Sequence, residues 1–325
     1  MASNEKKILG IKEDTFRMAM GKYGIGLILI GMVIIISVIK PRFIQPANLL
    51  NILTQISING LIAYGMCLSI TTGGIDLTVG AQLALVSCVV GQFVGVKGMS
   101  VVTACLIALT IATAFGLLNG ILIAKFDMFP FVVTLSTQLI VRGLAQVISN
   151  GQAISLADAN FKAIYSDRLA GIPLPILYLL VVVIIMYFLM HWTKFGRYVY
   201  AVGGNVHAAI ASGVNVVKTK TLCYTISGFL CGVAGIIFTS KTGAAQANIG
   251  TGYETDAIAA CVLGGTSFAG GISTASGVLL GSIIIGCIYN GMNFLGIDSY
   301  YQSITKGVII ICAVLLDMIM NKKNR

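Results

Sequence analysis

Charge is what this chain has least of. Only 10% of its 325 residues are Asp, Glu, Lys or Arg against 57% hydrophobic, and the mean hydropathy is +0.94. Soluble domains carry about 25% charged residues, so water is excluded as the main solvent. No GxxxxGK[ST] loop is present: the one Gly-Lys pair, Gly21 and Lys22, is followed by Tyr23 and an apolar run rather than preceded by a strand. ATP binding by a P-loop is therefore excluded. The two histidines, His191 and His207, form no HExxH pattern, which argues against a zinc site. The eight cysteines all fall inside apolar runs without CxxC spacing and read as small core hydrophobes. No Ser/His/Asp set with suitable neighbours is visible, and no cofactor is expected. The formal charge of +10 does not point to nucleic acid, because the basic residues are not gathered with aromatics between them. A cleavable leader is not expected either: the first apolar run, Tyr23 to Ile39, lacks a small-residue cleavage site and is long enough to stay in a bilayer.

What the chain has in abundance is apolar runs of membrane length. A helix needs about 20 apolar residues to cross the hydrocarbon, where no backbone polar group can stay unpaired. That ruler gives spans near Tyr23–Ile39, Ile52–Ile70, Leu77–Gly95, Val101–Ile123, Met128–Ile148, Leu174–Met190, Thr221–Thr239, Asp256–Phe268, Ser276–Phe294 and Tyr301–Met320. Asp256–Phe268 is the shortest. The fold class is thus an all-α integral membrane protein of about ten transmembrane helices. Its parts are a cytoplasmic tail at 1–22, a transmembrane domain at 23–320 and a cytoplasmic tail at 321–325. With the N-terminus inside, thirteen of the 21 Lys and Arg residues fall in inner loops and six in outer ones. This bias fits the rule that cytoplasmic loops retain positive charge, and an even span count puts the C-terminus inside as well.

The remaining two basic residues, Arg142 and Lys306, lie inside spans, as does Asp317. A charge at such depth costs several kcal/mol unless it faces protein or water. Lys306 and Asp317 are expected to snorkel to the interfaces. Asp76, at the junction of spans two and three, reads either as a cap on the third helix or as a gate at the inner mouth. Buried acids forming a midspan relay are not evident, which speaks against an ion-driven carrier. The segment 191–220 is about 30 residues long, basic and expected to be cytoplasmic. Loops of that length usually have a task, and its Ala-rich stretch 205–212 is expected to form a short surface helix. A short internal echo is also present. Residues 60–80 (GLIAYGMCLSITTGGIDLTVG) and 256–277 (DAIAACVLGGTSFAGGISTASG) both place Ile-Ala about eleven residues before a Gly-Gly pair. Such echoes mark transporters built from repeats.

These residues carry a resemblance. TTGGIDLTVG at 71–80, TKFGRYVYAVGGNVHAAIASGVNV at 193–216, GTGYETDAIAACVLGGTSFAGG at 250–271 and NGMNFLGIDSYYQSITKG at 290–307 resemble the membrane permease subunits of bacterial ABC importers for monosaccharides of the ribose, galactose and xylose type. The resemblance implies a non-enzymatic subunit of the bacterial inner membrane that forms the path for a neutral monosaccharide. Its implied partners are an ABC ATPase, an extracytoplasmic sugar-binding protein, a second copy of the permease and the lipid bilayer, with no nucleic acid. The missing P-loop is then expected, since the ATPase supplies it.

In that family the loop at 191–220 docks into the ATPase, and the matching positions are Gly196, Arg197, Gly203, Gly204, Asn205, Ala208, Ala209, Ser212 and Gly213. Relatives commonly carry an acid and a base where this chain has His207 and Ile210, so the docking role transfers more safely than any ion pair. Gly203 and Gly204 are expected to take positive φ in a tight turn. Asp76, Asn119, Gln138, Asn290 and Asn293 are the candidate pathway or gate residues. For each of these asparagines, for Gln138 and for Tyr64, an interhelical hydrogen bond is the competing reading. The alternative functions are a self-sufficient secondary carrier or channel for a small neutral solute, and a membrane enzyme acting on lipid.

Overall fold

In a computed structural model, residues 7–8, 11–12, 30–31 and 33–322 are described. The rest of the tail at 1–22, much of the first expected span and residues 323–325 lie outside the described residues, as does the side chain of Asp317. Residues 33–39 are helical and form α1. Then follow α2 (Pro46–Thr71), α3 (Val79–Val96, its last turn a π-helix), α4 (Val101–Lys125), α5 (Pro130–Ser149), α6 (Ala159–Ser166) and α7 (Leu174–Trp192). The chain continues through α8 (Lys194–Gly204), α9 (Val206–Ala211), α10 (Val216–Thr242), α11 (Tyr253–Leu263), α12 (Ala275–Phe294) and α13 (Ser299–Lys322). Among the described residues, strand is limited to two-residue antiparallel pairs, such as Ile154–Ser155 with Ala244–Ala245.

Among the described residues, seven helices are long and apolar enough to cross a membrane: α2, α3, α4, α5, α7, α10 and α12. Their burial separates centre from rim. The most apolar window of α2 is 89% buried, whereas those of α4 and α7 are only 22% buried despite higher hydropathy. Helices that are apolar all round yet expose most of that surface need a non-aqueous solvent. Leu106, Leu139 and Ile184 are examples of side chains left outward.

Lipid gives helices no hydrophobic reason to associate, so packing falls to small residues that let backbones approach. The buried face of α4 shows this: Ala104, Ala108, Ala112, Gly116 and Gly120 recur at intervals of four. They meet α10, where a Cβ on Gly228 would sit 2.5 Å from the Ala112 carbonyl oxygen. A Cβ on Gly65 would lie 2.8 Å from Ser227 Cα, which places α2 against the same stretch of α10.

One expected span takes a different form. The stretch Asp256–Phe268 was to cross as a helix, but α11 covers only 11 residues, about 16 Å of rise and half of a hydrocarbon core. The sequence before it runs in non-helical form from Gly243 to Gly252 alongside α3. Ala245 lies against Gly91, and Gly250 against Gly80. Exposed backbone of this kind is tolerated at membrane depth only where protein satisfies it. Arg142 does much of that here, donating from Nη1 to Ala247 O at 2.6 Å and Ile249 O at 2.7 Å. Left-handed glycines at Gly250 and Gly252, with φ of +76° and +87°, make the break before α11.

Candidate functional site

The segment between α7 and α10 is a capped helical pair rather than a loop. Thr193 Oγ1 accepts from Gly196 N at 3.1 Å to start α8. Asn205 Oδ1 accepts from Ala208 N at 3.0 Å to start α9, and Asn215 Oδ1 from Lys218 N at 2.8 Å to start α10. Each cap satisfies an amide that the helix itself cannot. The short helix expected over 205–212 is α9. Of the docking candidates, Arg197, Gly204, Asn205, Ala208, Ser212 and Gly213 are exposed, Gly203 is half-buried, and Gly196 and Ala209 are buried. Ala209 joins Val202 and Val214 in a small core that holds α8 and α9 together. The exposed face also carries Tyr198 and Ile210.

Gly203 and Gly204 do not have the positive φ expected of them. Both lie inside α8, and the left-handed glycine of this segment is Gly213, at +80°. Gly203 is needed for closeness instead. A Cβ there would sit 2.5 Å from Gly271 N and nearer still to Thr71 O, while a Cβ on Gly204 meets nothing within 4 Å. The end of α8 thus presses backbone to backbone on two other turns, the one after α2 and the one before α12. Those turns are bonded to each other: Gly271 N donates to Thr71 O at 2.9 Å and Thr71 Oγ1 to Ser273 Oγ at 2.8 Å. Tyr200 adds a tether from α8, its hydroxyl donating to Ser273 O at 3.0 Å. Burial pushes the Tyr200 hydroxyl above its ordinary pKa, keeping the donor protonated. The two segments of the internal echo therefore meet at this knot.

Asp76 is fully buried. Its Oδ1 accepts from Thr78 N at 3.1 Å and from the Thr78 hydroxyl, and its Oδ2 accepts from Ser227 Oγ at 2.8 Å. Thr78 is the N-cap residue of α3, so the carboxylate closes the turn that opens that helix, near its positive end. These bonds close the turn before α3 and engage none of the helix's own first-turn amides. Asn119 belongs to the same cluster: its Nδ2 donates to Thr78 Oγ1 at 3.3 Å, and Gln82 Nε2 donates to the same oxygen at 2.9 Å.

The other candidates do not converge on this cluster. Asn290 Nδ2 donates to Asn48 Oδ1 at 3.2 Å and Asn48 Nδ2 to Asn290 Oδ1 at 3.0 Å, at the opposite end of α2 from Thr71. Asn293 is exposed and accepts from Gln302 Nε2 at 2.8 Å. Gln138 is half-buried on α5. Tyr64 donates to Ala275 O at 2.7 Å, a bond between helices.

Sequence reasoning missed one polar cluster. Lys306 does not snorkel: its Nζ lies 2.6 Å from Asp256 Oδ1, joining α13 to the first turn of α11. Tyr289 donates to the same oxygen at 2.6 Å. Asp256 is only 8% exposed, so the carboxylate is an interior group. The sequence signal was a lysine and an aspartate each stranded in an apolar context, which called for pairing. Among the described residues no group of three or more His, Cys, Asp or Glu could hold a metal ion.

Comparison with known proteins places these features in a lineage. The family described as branched-chain amino acid transport system / permease component matches residues 48–314. The chain is 45% identical to the ribose import permease protein RbsC of Bacillus subtilis (strain 168) over 308 residues, covering 94% of this chain and 95% of that protein. It is 37% identical to the D-allose transport system permease protein AlsC of Escherichia coli (strain K12), covering 96% of each. It is 36% identical to the galactose/methyl galactoside import permease protein MglC of the same strain, covering 94% and 97%. No solved structure matches the chain.

Proposed function

Because the chain belongs to the branched-chain amino acid transport system / permease component family, we propose that it is the translocation subunit of an ATP-driven importer for a neutral monosaccharide of the ribose, galactose or allose kind. One observation carries the reading. Its end-to-end similarity is to permeases for three different monosaccharides, whereas the amino acid of the family description appears in none of their names. It works in the bacterial inner membrane, beside an ATPase that supplies the nucleotide loops it lacks and an extracytoplasmic sugar-binding protein. A second copy completes the path.

Ten crossings account for the chain's course. The non-helical stretch from Gly243 and the short α11 together traverse once, since Ala245 lies near Gly91 at one end of α3 and Cys261 Sγ donates to Ala63 O at 3.2 Å towards the other end of α2. With α1 and α13 included, the count is even, and both tails, 1–22 and 321–325, are cytoplasmic. The face of α8 and α9 bearing Arg197, Gly204, Asn205, Ala208, Ser212 and Gly213 docks on the ATPase, while Gly196, Gly203 and Ala209 shape it from beneath. Backbone contact of Gly203 with Thr71 and Gly271 carries movement of that face to α2 and α12. Asp76 and Asn119 hold the start of α3 at the inner mouth, and Gln138, Asn290 and Asn293 stand further along the route.

Reconstitution tests the reading. The purified chain alone should neither hydrolyse ATP nor pass sugar through proteoliposomes, and adding the cognate ATPase and binding protein should give both. Sugar flux through the chain by itself would replace this reading with that of a self-sufficient carrier.

A further inference from the structure

Between α2, α10, α11 and α12 lies a cavity of about 140 Å³, lined among others by Gln55, Asn59, Lys241, Tyr253, Asp256 and Tyr289. Its opening is flanked by Gln55 and Lys241, both exposed. Counting along α2 from Pro46 and back along α12 from Phe294, the polar lining sits roughly 8–20 Å below the end away from α8 and α9. Buried polar groups cost energy unless partnered, and here two features remain to be accounted for. Asn59 Oδ1 is buried without a hydrogen-bond partner. Asp256 receives both Lys306 and Tyr289 on the one oxygen Oδ1, while its side chain lines the cavity.

We propose that this cavity is the first solute station within the membrane, a transient site for a polyhydroxylated neutral molecule. The proposal rests on the importer reading above and names the residues that would meet its cargo. A sugar hydroxyl is both donor and acceptor. It donates to Asn59 Oδ1 and to Asp256 Oδ2, and it accepts from the Gln55 and Asn59 amides. The rings of Tyr253 and Tyr289 border the cavity and offer apolar faces to the C–H side of the same molecule. Tyr253 is held by an edge-to-face contact with Phe238, centroids 5.7 Å apart.

The pairing of Asp256 favours a neutral cargo. Lys306 already compensates Asp256 at 2.6 Å, and the Lys241 ammonium reaches instead over the Tyr165 ring, 6.0 Å from its centroid. A cation would find the Asp256 carboxylate already paired with Lys306, and an anion would meet that carboxylate in the cavity wall. A purely structural ion pair would tie α13 to α11 equally well without an adjacent cavity or an unpartnered amide oxygen. The small number of bonds also suits a station that must release what it receives, since conduction needs binding weak enough to leave.

The test uses the complete importer, permease with ATPase and binding protein, in proteoliposomes. Asn59→Leu removes the amide and fills the space. Maximal uptake of the transported monosaccharide should fall about tenfold, while the half-saturating sugar concentration, set by delivery, stays as in wild type. Binding-protein-stimulated ATP hydrolysis should persist, so that hydrolysis continues with little sugar carried. Tyr289→Phe should lower uptake more mildly. The uptake ratio of the parent sugar to its monodeoxy analogues should shrink in the Asn59 variant, a change that loss of packing alone would not produce. Should Asn59→Leu not accumulate, Asn59→Ala serves the same comparison. Uptake at the wild-type rate with an unchanged deoxy-sugar ratio would overturn the proposal. So would a parallel loss of uptake, ATP hydrolysis and thermal stability, which would leave the cluster structural and the cavity to water. Absence of uptake by the wild-type assembly for every monosaccharide tried would instead overturn the importer reading, and the cavity proposal with it.

Discussion

Gly203 and Gly204 are neighbours on one helix with opposite surroundings, and this allows a sharp experiment. A methyl group on Gly203 would lie 2.5 Å from Gly271 N, where ordinary contacts begin at 3.4 Å. The contact with Thr71 O would be closer still, so the end of α8 must retreat by more than 1 Å from the turns at Thr71 and Gly271, enough to forfeit much of the dispersion contact there. Overpacking of this kind costs about 1–3 kcal/mol. Weakening the Gly271 N to Thr71 O bond of 2.9 Å adds about 1 kcal/mol. On Gly204 the same methyl meets nothing within 4 Å, and replacing a helical glycine by alanine favours the helix by about 0.5–1 kcal/mol.

Gly203→Ala should thus lower the thermal unfolding midpoint of the purified permease. It should also reduce ATP hydrolysis stimulated by loaded binding protein, because the contact that links the docking face to α2 and α12 is loosened. Gly204→Ala should leave both at or slightly above wild type. The measurements are thermal unfolding in detergent and stimulated hydrolysis in proteoliposomes at matched permease content. Wild-type stability and coupling for Gly203→Ala would show that the α8 end does not bear on those turns, and the coupling route would have to be sought elsewhere.

Two further predictions concern placement and polarity. A reporter active only outside the cytoplasmic membrane should stay silent when fused after Arg325 or before Met1, and activity at Arg325 would force an odd number of crossings and remove the stretch 243–263 from the count. Asp76→Asn keeps the size but turns one acceptor into a donor facing Ser227 or Thr78, whose hydroxyls donate to the carboxylate; it should destabilise the permease by about 1–3 kcal/mol, read by thermal unfolding, and an unchanged midpoint with altered sugar leak would favour the gate over the cap.

The long helices were legible because one number decides them: a run of about 20 apolar residues has few places to go except across a bilayer. So α3, α4, α5, α7 and α12 lie within about two residues of their expected limits, while α2 and α10 begin six and five residues earlier than expected. Helix α9 was legible through its Ala-rich run, and the caps Thr193, Asn205 and Asn215 were there to be read. The glycines were not. Gly203 and Gly213 look alike in sequence, yet one is required by a neighbouring backbone and the other by its own φ of +80°, and only tertiary structure distinguishes these demands.

The break before α11 escaped reading for a related physical reason. Hydropathy measures whether a segment tolerates lipid, and Asp256–Phe268 does. It does not register that the preceding residues can leave the helix once an outside donor takes their carbonyls. That donor is Arg142, about a hundred positions earlier in the chain, bonded to Ala247 O and Ile249 O. Breaking the helix there has a consequence for Asp256. Instead of riding in mid-helix, it falls in the first turn of a new one, where the unpaired amides favour a negative charge. Lys306 and Tyr289 then complete its environment. The arginine, the two left-handed glycines, the carboxylate and the lysine thus depend on one another. Each looks costly in a membrane when read singly, and together they permit an irregular, polar-lined gap in an otherwise close-packed bundle.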